Sequence, residues 1–420
     1  MERFHGLIGI ALIFGIAILF SNNRKAINKR LVLSGVGLQF LIAILVLKIP
    51  PVTAFFQNIG HGMEKIEQFA RQGASFVYGG LAVQQFDGTI ANYVNGGFVF
   101  AFNVTATIIL VCVLVAILYH IGLMQRIVSV IAKAMNFVMK VSGAEALSNV
   151  ASAFVGQVEA QVMIRPYLAG MTQSELLASM SGSLACIAGG ILVVYVNMGA
   201  QAGFDLAPKL IAASLMAAPG ALVISKIVFP ETKESETMGK VKLEVKSPYI
   251  NVVDAISHGA GDGFKIAMNV IAMLIGFISL IAFLDWSLMH IAHWFNPNFD
   301  LSLNWIFGKI FYPMAWSMGV PTQDVNNVAT LLGQKISINE FVAFKNLASK
   351  TVPIVTEKGL LIVSIAICGF ANFSSVGMQI GGIGEIAPER RADLARLGLK
   401  ALLCGTLASY LSATIAGILM

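Results

Sequence analysis

Apolar residues dominate the chain in long runs that short polar stretches separate. A run of about 20 apolar residues is what an α-helix needs to cross the hydrocarbon core of a bilayer. The pattern therefore predicts an all-α membrane protein with about eight transmembrane helices. The predicted spans are residues 4–21, 31–49, 95–121, 174–197, 205–229, 265–293, 355–380 and 396–420.

Two further stretches, 144–170 and 303–349, are only moderately apolar, and they carry Glu159 and Glu340. A carboxylate at membrane depth costs about 2.5–3.5 kcal/mol even on lenient insertion scales, so it is usually functional and faces protein or water. We interpret both stretches as re-entrant hairpins, which are tolerated where protein surrounds the backbone. The expected turns lie at Gly156 in the first hairpin and at 318–322 in the second.

The span after each hairpin is broken at its middle, at 186–190 and at 369–377, and an intact span follows. A hairpin, a broken helix and an intact helix, in that order and occurring twice, is typical of a secondary transporter built from inverted repeats. We expect residues 1–143 and the 265–293 helix to form a scaffold beside the two repeats. The predicted parts are 1–143 (scaffold helices and an interfacial segment), 144–229 (first repeat), 230–302 (a loop, a long scaffold helix and an outer interfacial segment) and 303–420 (second repeat).

Composition supports the membrane class. Of the 420 residues, 57% are hydrophobic and 12% are charged, whereas a soluble domain carries about 25% charged residues. The mean hydropathy is +0.78. The net charge of +6 comes mainly from short loops, so it indicates membrane orientation and not a nucleic-acid partner.

Basic residues cluster in the loops 22–30, 122–143 and 387–400, which we therefore place on the cytoplasmic side. The N-terminus then lies outside, and the chain is a multi-pass protein of the plasma (inner) membrane. The region 50–94 is too polar for a span, and an interfacial amphipathic helix plus a loop fits it better.

The tip of the first hairpin offers an amide at Gln157 and a carboxylate at Glu159. Together these groups can donate to and accept from the polar edge of a heterocycle. The alternative is a structural ion pair between Glu159 and Arg165.

The second hairpin places Asn339 beside Glu340. A carboxylate accepts two hydrogen bonds at once, so Glu340 can grip vicinal hydroxyls; the alternative is an ion pair with Lys335, at poor helical spacing. In the second broken span, Asn372 and Ser375 suit a small polar ligand or a cation, unless the serines bond back to their own helix.

Two other motifs give only weak evidence of a function. The segment 259–262 resembles the GxGD of intramembrane aspartyl proteases, but no second aspartate faces Asp262 from another span. His290 and His293 lie three residues apart and lack a nearby cysteine, so an aromatic, polar interfacial segment is the better interpretation than a metal site. The sequence predicts no enzyme and no bound cofactor.

Together the motifs resemble the concentrative nucleoside transporters, with matching order and spacing over nearly the whole chain. The matching elements are GQVEA at 156–160, IRPY at 164–167, IAG at 187–189, NEFVA at 339–343 and GFANFSSVG at 369–377. The resemblance implies a homotrimer in the lipid bilayer whose transport domain moves as an elevator with its nucleoside, such as uridine, cytidine or adenosine.

The resemblance also implies roles for individual residues. The nucleobase would meet Gln157, Val158 and Glu159. The ribose would be bound by Glu340, Asn372 and Ser375, and Phe370 and Ile191 would pack against the nucleoside. A cation would lie near Ser152, Val155, Cys186 and Ile187. Its ligands would be the side chains of Ser152 and Cys186 and the backbone carbonyls of Val155 and Ile187.

Three positions depart from the family pattern. Ser152 stands where sodium-coupled members have Asn, and Cys186 stands where they have Ser or Thr. A thiol is a poor ligand for a hard cation that prefers oxygen, so the coupling ion could be sodium or a proton. Val158 stands where Ser or Thr is usual, which implies altered base selectivity or a drier pocket.

The sequence thus predicts a symporter that imports nucleosides with a coupling cation. An uncoupled nucleoside channel or facilitator is the alternative of a different class, and it would never carry uptake beyond equilibrium. A membrane enzyme acting on nucleotide-like substrates is less favoured, because the sequence shows no nucleophile–base pair or metal cluster.

Overall fold

The computed structural model of the chain is α-helical and describes residues 2–79, 100–238, 249–296, 299 and 301–420. Within these residues the only β-type pairing is one isolated bridge between Ser142 and Met238. In chain order the α-helices are α1 (Glu2–Leu19), α2 (Lys29–Lys48), α3 (Pro50–Tyr78), α4 (Phe100–His120), α5 (Leu123–Met139), α6 (Gly143–Ser152), α7 (Glu159–Val162), α8 (Arg165–Leu168), α9 (Gln173–Ala185), α10 (Gly189–Gln201), α11 (Ala207–Val228), α12 (Val252–Phe295), α13 (Leu303–Ile310), α14 (Tyr312–Ser317), α15 (Val325–Ser337), α16 (Glu340–Ala348), α17 (Glu357–Ala366), α18 (Phe373–Ile386) and α19 (Arg391–Leu419).

The predicted spans correspond to helices. Within the described residues five helical segments are long and apolar enough to cross a membrane: Lys29–Lys48, Gln173–Gln201, Ala207–Val228, Ile278–Phe295 and Pro388–Leu419. The remaining predicted spans correspond to the shorter apolar helix His5–Leu19, to α4, and to the broken pair α17 and α18. The helix predicted within 50–94 is α3, while residues 80–94 of that prediction lie outside the described residues.

Helix α12 is longer than the predicted span, because its 44 residues begin at Val252 and not at 265. At 1.5 Å per residue it is about 66 Å long, roughly twice the thickness of the hydrocarbon core. Its first turns are polar, so apolar periodicity alone could not find them.

Two glycines set the close crossing of α12 and α4. A Cβ atom on Gly259 would lie 2.9 Å from the Cα of Val113, and one on Gly263 would lie 2.7 Å from the Cα of Ile109. Small residues four apart let two membrane helices approach to backbone contact. Gly259 and Gly263 therefore have a packing role. Within the described residues, Asp262 makes an ion pair with exposed Lys265, at 4.0 Å.

Helices α1 and α2 pack against α11 and α19, which belong to the two repeats. A buried glutamine fixes part of this contact, since Gln39 Nε2 donates to the Met216 carbonyl and to Ser412 Oγ, each at 3.0 Å. The division of the chain into a scaffold of 1–143 and two repeats stays a prediction.

The first hairpin runs from α6 to α8, and its tip lies at 153–158, as predicted from Gly156. Ser142 begins α6 with a reciprocal capping box to Glu145, in which each side chain bonds the other residue's backbone N–H. Two backbone groups that would otherwise be buried without partners are satisfied in this way.

The predicted turn of the second hairpin was wrong. Residues 318–322 join α14 to α15, with Gly319 at φ +85°, and the tip lies instead at Ile338 and Asn339, between α15 and α16. The tip has no glycine or proline to announce it. Its signal is Asn339, whose side chain caps α16 by accepting from the Val342 N–H at 2.9 Å.

The two broken helices meet at their breaks. The break between α9 and α10 spans 186–188, and the break between α17 and α18 spans 367–372. The Phe370 N–H donates to the Cys186 carbonyl at 3.2 Å. Gly369 is required beside this bond, because a Cβ atom there would lie 2.3 Å from the Ala185 carbonyl oxygen.

A buried ion cluster anchors the foot of the first hairpin. Lys226, near the end of α11, lies 2.7 Å from Glu145 Oε2 and 3.3 Å from Glu231 Oε2. It also donates to Ser174 Oγ at 3.0 Å. The side chains of Lys226 and Glu145 are 5% and 2% exposed, so α6, α9 and α11 share one nearly dry charge network.

Candidate substrate and cation site

Glu340 is the first residue of α16 and is only 7% exposed. The capping side chain of Asn339 fixes the start of this helix, so the position of the carboxylate is set by the short tip. A helix N-terminus also favours a negative charge through its free N–H groups. The Asn339 side chain is thus engaged by the backbone, whereas the sequence had placed it beside Glu340 as a partner in gripping hydroxyls.

Two side chains from other elements hold the Glu340 carboxylate. Asn372 Nδ2 donates to Oε2 at 2.8 Å, and the Tyr195 hydroxyl donates to Oε1 at 3.4 Å. Glu340 and Asn372 were predicted to act together, and the structure brings them into contact. A carboxylate has about four acceptor sites, so each oxygen can accept a further bond from a ligand.

Tyr195 was not predicted from the sequence as a residue of the site. It lies in α10, is fully buried, and stacks on Phe344 with ring centroids 4.2 Å apart and planes at 20°. The available signal was a tyrosine inside an otherwise apolar helix, since a buried tyrosine hydroxyl usually finds a hydrogen-bond partner.

Asn372 links the break to the site. Its Oδ1 caps α18 by accepting from the Ser375 N–H at 2.8 Å, while its Nδ2 reaches Glu340. Ser375 is 1% exposed in the first turn of α18, and Phe370 is half-buried in the break itself. The predicted ribose residues therefore lie together where the second hairpin meets the second broken helix.

The predicted base residues lie at the tip of the first hairpin. Glu159 begins α7 and is exposed, and its carboxylate lies so close to Gly156 that a Cβ there would be 2.1 Å from Oε2. Among the described residues, the ion pairs include neither Glu159 nor Arg165, which disfavours the structural alternative.

Gln157 and Val158 both contact α18. Gln157 Nε2 makes a long contact of 3.8 Å to the sulfur of Met378, and its Oε1 is buried without a hydrogen-bond partner. The methyl groups of Val158 fill the space above Gly382, where a Cβ atom would lie 2.8 Å from each of them. The tip thus presents an amide oxygen that lacks a protein donor.

The same tip touches the start of α10, where the Gly189 N–H donates to the Phe154 carbonyl at 3.2 Å. Ile191 follows in the first turn of α10 and is 8% exposed. It therefore lies near the tip, and its predicted packing against a ligand stays a prediction.

Around the predicted cation position, Ser152 belongs to a buried network of hydroxyls and one amide. Its Oγ donates to the Ser148 carbonyl and pairs with Ser183 Oγ, each at 2.8 Å. Gln161 Nε2 donates to Ser183 Oγ at 2.9 Å, and Gln161 Oε1 accepts from Ser179 at 2.7 Å. We call this the serine–glutamine network: Ser148, Ser152, Gln161, Ser179 and Ser183.

The other cation residues offer one sulfur and two backbone oxygens. Cys186 is 1% exposed, and its Sγ lies 3.9 Å from the Asn149 carbonyl. No backbone hydrogen bond of the described loops and turns ends on the carbonyl oxygen of Val155 or Ile187. These two carbonyl oxygens are therefore free to coordinate a hard cation, while the Ser152 hydroxyl is already hydrogen-bonded.

In the described part of the chain, His, Cys, Asp and Glu side chains form no group of three that could hold a metal ion. The ring Nδ1 of His290 lies 2.8 Å from the Trp286 carbonyl of the preceding turn.

Comparison with known proteins decides the family. Residues 8–81 match the family model "Na+ dependent nucleoside transporter N-terminus", and residues 209–417 match "Na+ dependent nucleoside transporter C-terminus". Residues 101–202 match a model described as "Gate: Nucleoside recognition". The nucleoside permease NupC of Helicobacter pylori is 35% identical, covering 98% of this chain and 96% of that protein. The chain belongs to the nucleoside transporter family.

The fold of this transporter is also that of solved relatives. The transporter CNTnw in an inward-facing substrate-bound state is 38% identical, with a TM-score of 0.90 over 100% of this chain and 98% of that one. An outward-facing form of CNTnw has a TM-score of 0.92. Sodium/nucleoside cotransporter 1 of Mus musculus is 35% identical over the whole of this chain, which spans 64% of that protein.

These findings confirm the predicted all-α membrane fold and the resemblance to the family. They also confirm a cation-coupled nucleoside transporter, and not an enzyme, as the class of protein.

Proposed function

We propose that this transporter imports ribonucleosides such as uridine, cytidine and adenosine across the plasma (inner) membrane, together with a monovalent cation. The observation that carries the proposal is the buried Glu340 carboxylate, which Tyr195 and Asn372 hold at the junction of the second hairpin and the second broken helix. A carboxylate fixed by one donor on each oxygen keeps acceptor capacity for the ribose hydroxyls.

The first hairpin supplies the groups for the base. The unpartnered Oε1 of Gln157 can accept from an exocyclic amine, and the exposed Glu159 can accept from a ring N–H. Ser375 adds a hydroxyl for the ribose, and Phe370 and Ile191 supply apolar surface for packing. A nucleoside would then lie between the two hairpins and bridge the two repeats.

A nucleoside that bridges the two repeats supports an elevator mechanism, in which the hairpins and broken helices move together against α4 and α12. The crossing hydrogen bond from Phe370 to the Cys186 carbonyl ties the two broken helices into one unit. We propose that the transporter works as a homotrimer. We also propose that its N-terminus lies outside, because basic loops favour the cytoplasmic side.

Uptake into proteoliposomes tests the substrate class. Purified transporter should take up labelled uridine and adenosine, and unlabelled ribonucleosides should compete while free bases and ribose should not. Chromatography of the internal label should recover the intact nucleoside. Recovery of a converted product would indicate an enzyme and contradict the proposal.

The coupling ion follows from the cation residues. We propose that sodium dependence is weak or absent, because the Ser152 hydroxyl is committed to the serine–glutamine network and Cys186 supplies sulfur. The carbonyl oxygens of Val155 and Ile187 alone make an incomplete site for a hard cation. A proton needs no such cage, only a titratable group that reaches both sides.

Replacing external sodium by choline at fixed pH should therefore lower uridine uptake by less than about twofold, while an acid-outside gradient should raise it. The double change Ser152→Asn with Cys186→Ser should increase the sodium response, because it adds two hard oxygen ligands. Cys404→Ser, at another buried cysteine, is the matched control. A steep, saturable sodium requirement in the unmodified protein would show instead that Ser152 and Cys186 are tolerated as ligands.

Base selectivity should respond to Val158. We expect Val158→Ser and Val158→Thr to change the uridine-to-adenosine uptake ratio with little change in protein level, because the new hydroxyl adds a hydrogen-bonding group beside Gln157 and Glu159. A neutral hydrogen bond is worth about 1 kcal/mol, or roughly fivefold in affinity. A ratio that stays within about twofold would place Val158 outside the base pocket, as a packing residue against Gly382.

A further inference from the structure

Lys335 is a buried cation that the site described so far leaves unexplained. It lies in α15 close to the tip of the second hairpin, is 0% exposed, and its ammonium has no hydrogen-bond partner. A buried ammonium without a partner is strongly unfavourable. An apolar side chain would fill the same space without that cost, so the charge itself calls for a reason.

The surroundings of Lys335 point to Glu340. The titratable groups that act electrostatically on Lys335 are Glu340 and Cys368, and a thiol is neutral at ordinary pH. The ammonium also lies 5.9 Å from the ring centroid of Tyr410, whose hydroxyl has no hydrogen-bond partner. Among the described residues, Glu340 is therefore the acid whose charge acts most strongly on Lys335.

The two charges interact without a direct bond. Tyr195 and Asn372 make the hydrogen bonds to the Glu340 carboxylate, and no ion pair within 4.0 Å joins it to Lys335 in the described structure. A direct ammonium contact would occupy acceptor positions on the carboxylate. An ammonium at longer range supplies compensating charge and leaves those positions free for hydroxyls.

We propose that Lys335 is a positioning residue for nucleoside transport, which keeps Glu340 ionised in its dry site without competing for the ribose. The proposal rests on the proposed role of Glu340 in binding ribose. It explains why a lysine is buried five residues from a buried glutamate, at a spacing too poor for a helical salt bridge. It also leaves the buried pair of Lys335 and Glu340 without net charge as the hairpin moves.

Three variants test whether the positive charge of Lys335 supports nucleoside transport. Lys335→Met keeps a long side chain but removes the cation, Lys335→Arg keeps the cation, and Tyr410→Phe removes only the unpartnered hydroxyl. Uridine uptake would be measured from pH 5.5 to 9 in proteoliposomes, with the assembly of each variant checked by size-exclusion chromatography.

We expect Lys335→Met to raise the uridine KM at pH 7 by at least tenfold and to recover uptake at alkaline pH, where an uncompensated Glu340 ionises again. Lys335→Arg should stay within about threefold of the wild type with an unshifted pH profile, and Tyr410→Phe should be unchanged. The double variant Lys335→Met with Glu340→Gln should be no worse than Glu340→Gln alone, because the cation then has no carboxylate to serve.

Loss of uptake at every pH in an assembled Lys335→Met protein, or a wild-type pH profile, would overturn the proposal. If Lys335→Met does not assemble, Lys335→Arg is tested for its preference for uridine over 2′,3′-dideoxyuridine. A preference like that of the wild type would support the role of the positive charge, and loss of the preference would contradict it. A wild-type protein that takes up no nucleoside would refute the proposed function itself, which is a distinct outcome.

Discussion

Replacing Glu340 by Gln or Ala is expected to reduce ribonucleoside uptake by roughly ten- to hundredfold or more while the protein still assembles. The reason is the loss of a charge-assisted acceptor, which typically costs about 1.5–3 kcal/mol. Glu340→Gln keeps the size of the side chain and so isolates the charge. Initial rates of uridine uptake in proteoliposomes, as a function of uridine concentration, measure the effect.

Exposed Glu389 offers the matched control, and Glu389→Gln should leave uptake unchanged. The wild type should also discriminate strongly against nucleosides that lack the ribose hydroxyls, and Glu340→Gln should lose most of that discrimination. Near-normal uridine uptake by Glu340→Ala would remove Glu340 from the ribose site.

The second large effect concerns stability. Lys226→Met should lower the free energy of unfolding by about 3–5 kcal/mol, because it leaves the Glu145 carboxylate buried without its counter-charge. The double variant Lys226→Met with Glu145→Gln should recover part of the loss. Lys265→Met, at a lysine whose side chain is 79% exposed, is the control. Thermal unfolding in detergent, followed by intrinsic fluorescence, gives the order of stabilities.

This stabilisation should depend on pH. Burial acts to raise the pKa of the Glu231 carboxyl, but the Lys226 ammonium and the Thr172 hydroxyl outweigh it and hold the pKa below its usual range. A lowered pKa contributes stability that is present above the usual range of a carboxyl and is lost as pH falls. The melting temperatures of the wild type and Lys226→Met should therefore converge towards acid pH. A gap that stays constant between pH 7 and pH 4 would contradict this account of the cluster.

Much of the site could be predicted because membrane burial makes polar residues conspicuous. Glu340 and Asn372 stand out in apolar surroundings, and the structure brings them to 2.8 Å. The broken spans were visible for the same reason, since glycine and asparagine interrupt runs that would otherwise be continuous.

What the sequence could not supply depends on contacts between distant segments. Tyr195 lies 145 positions from Glu340 along the chain, and nothing local distinguishes it from a tyrosine of the core. The tip of the second hairpin was misplaced because Gly319 and Pro321 give a strong turn signal, whereas the true tip is marked only by the helix cap of Asn339. The serine–glutamine network was missed because single serines in membrane helices usually bond back to their own helix.

Uphill accumulation of uridine distinguishes a cation-coupled symporter from an uncoupled facilitator. Proteoliposomes containing the wild-type protein would be given an inward gradient of protons or sodium, and internal labelled uridine would be compared with the external concentration. A potential of about 100 mV is worth about 2.3 kcal/mol per charge, which allows roughly fiftyfold accumulation with one monovalent ion. We expect internal uridine to rise severalfold above external uridine and to fall back when an ionophore collapses the gradient. Uptake that stops at equal concentrations under every gradient would contradict symport and identify an uncoupled facilitator.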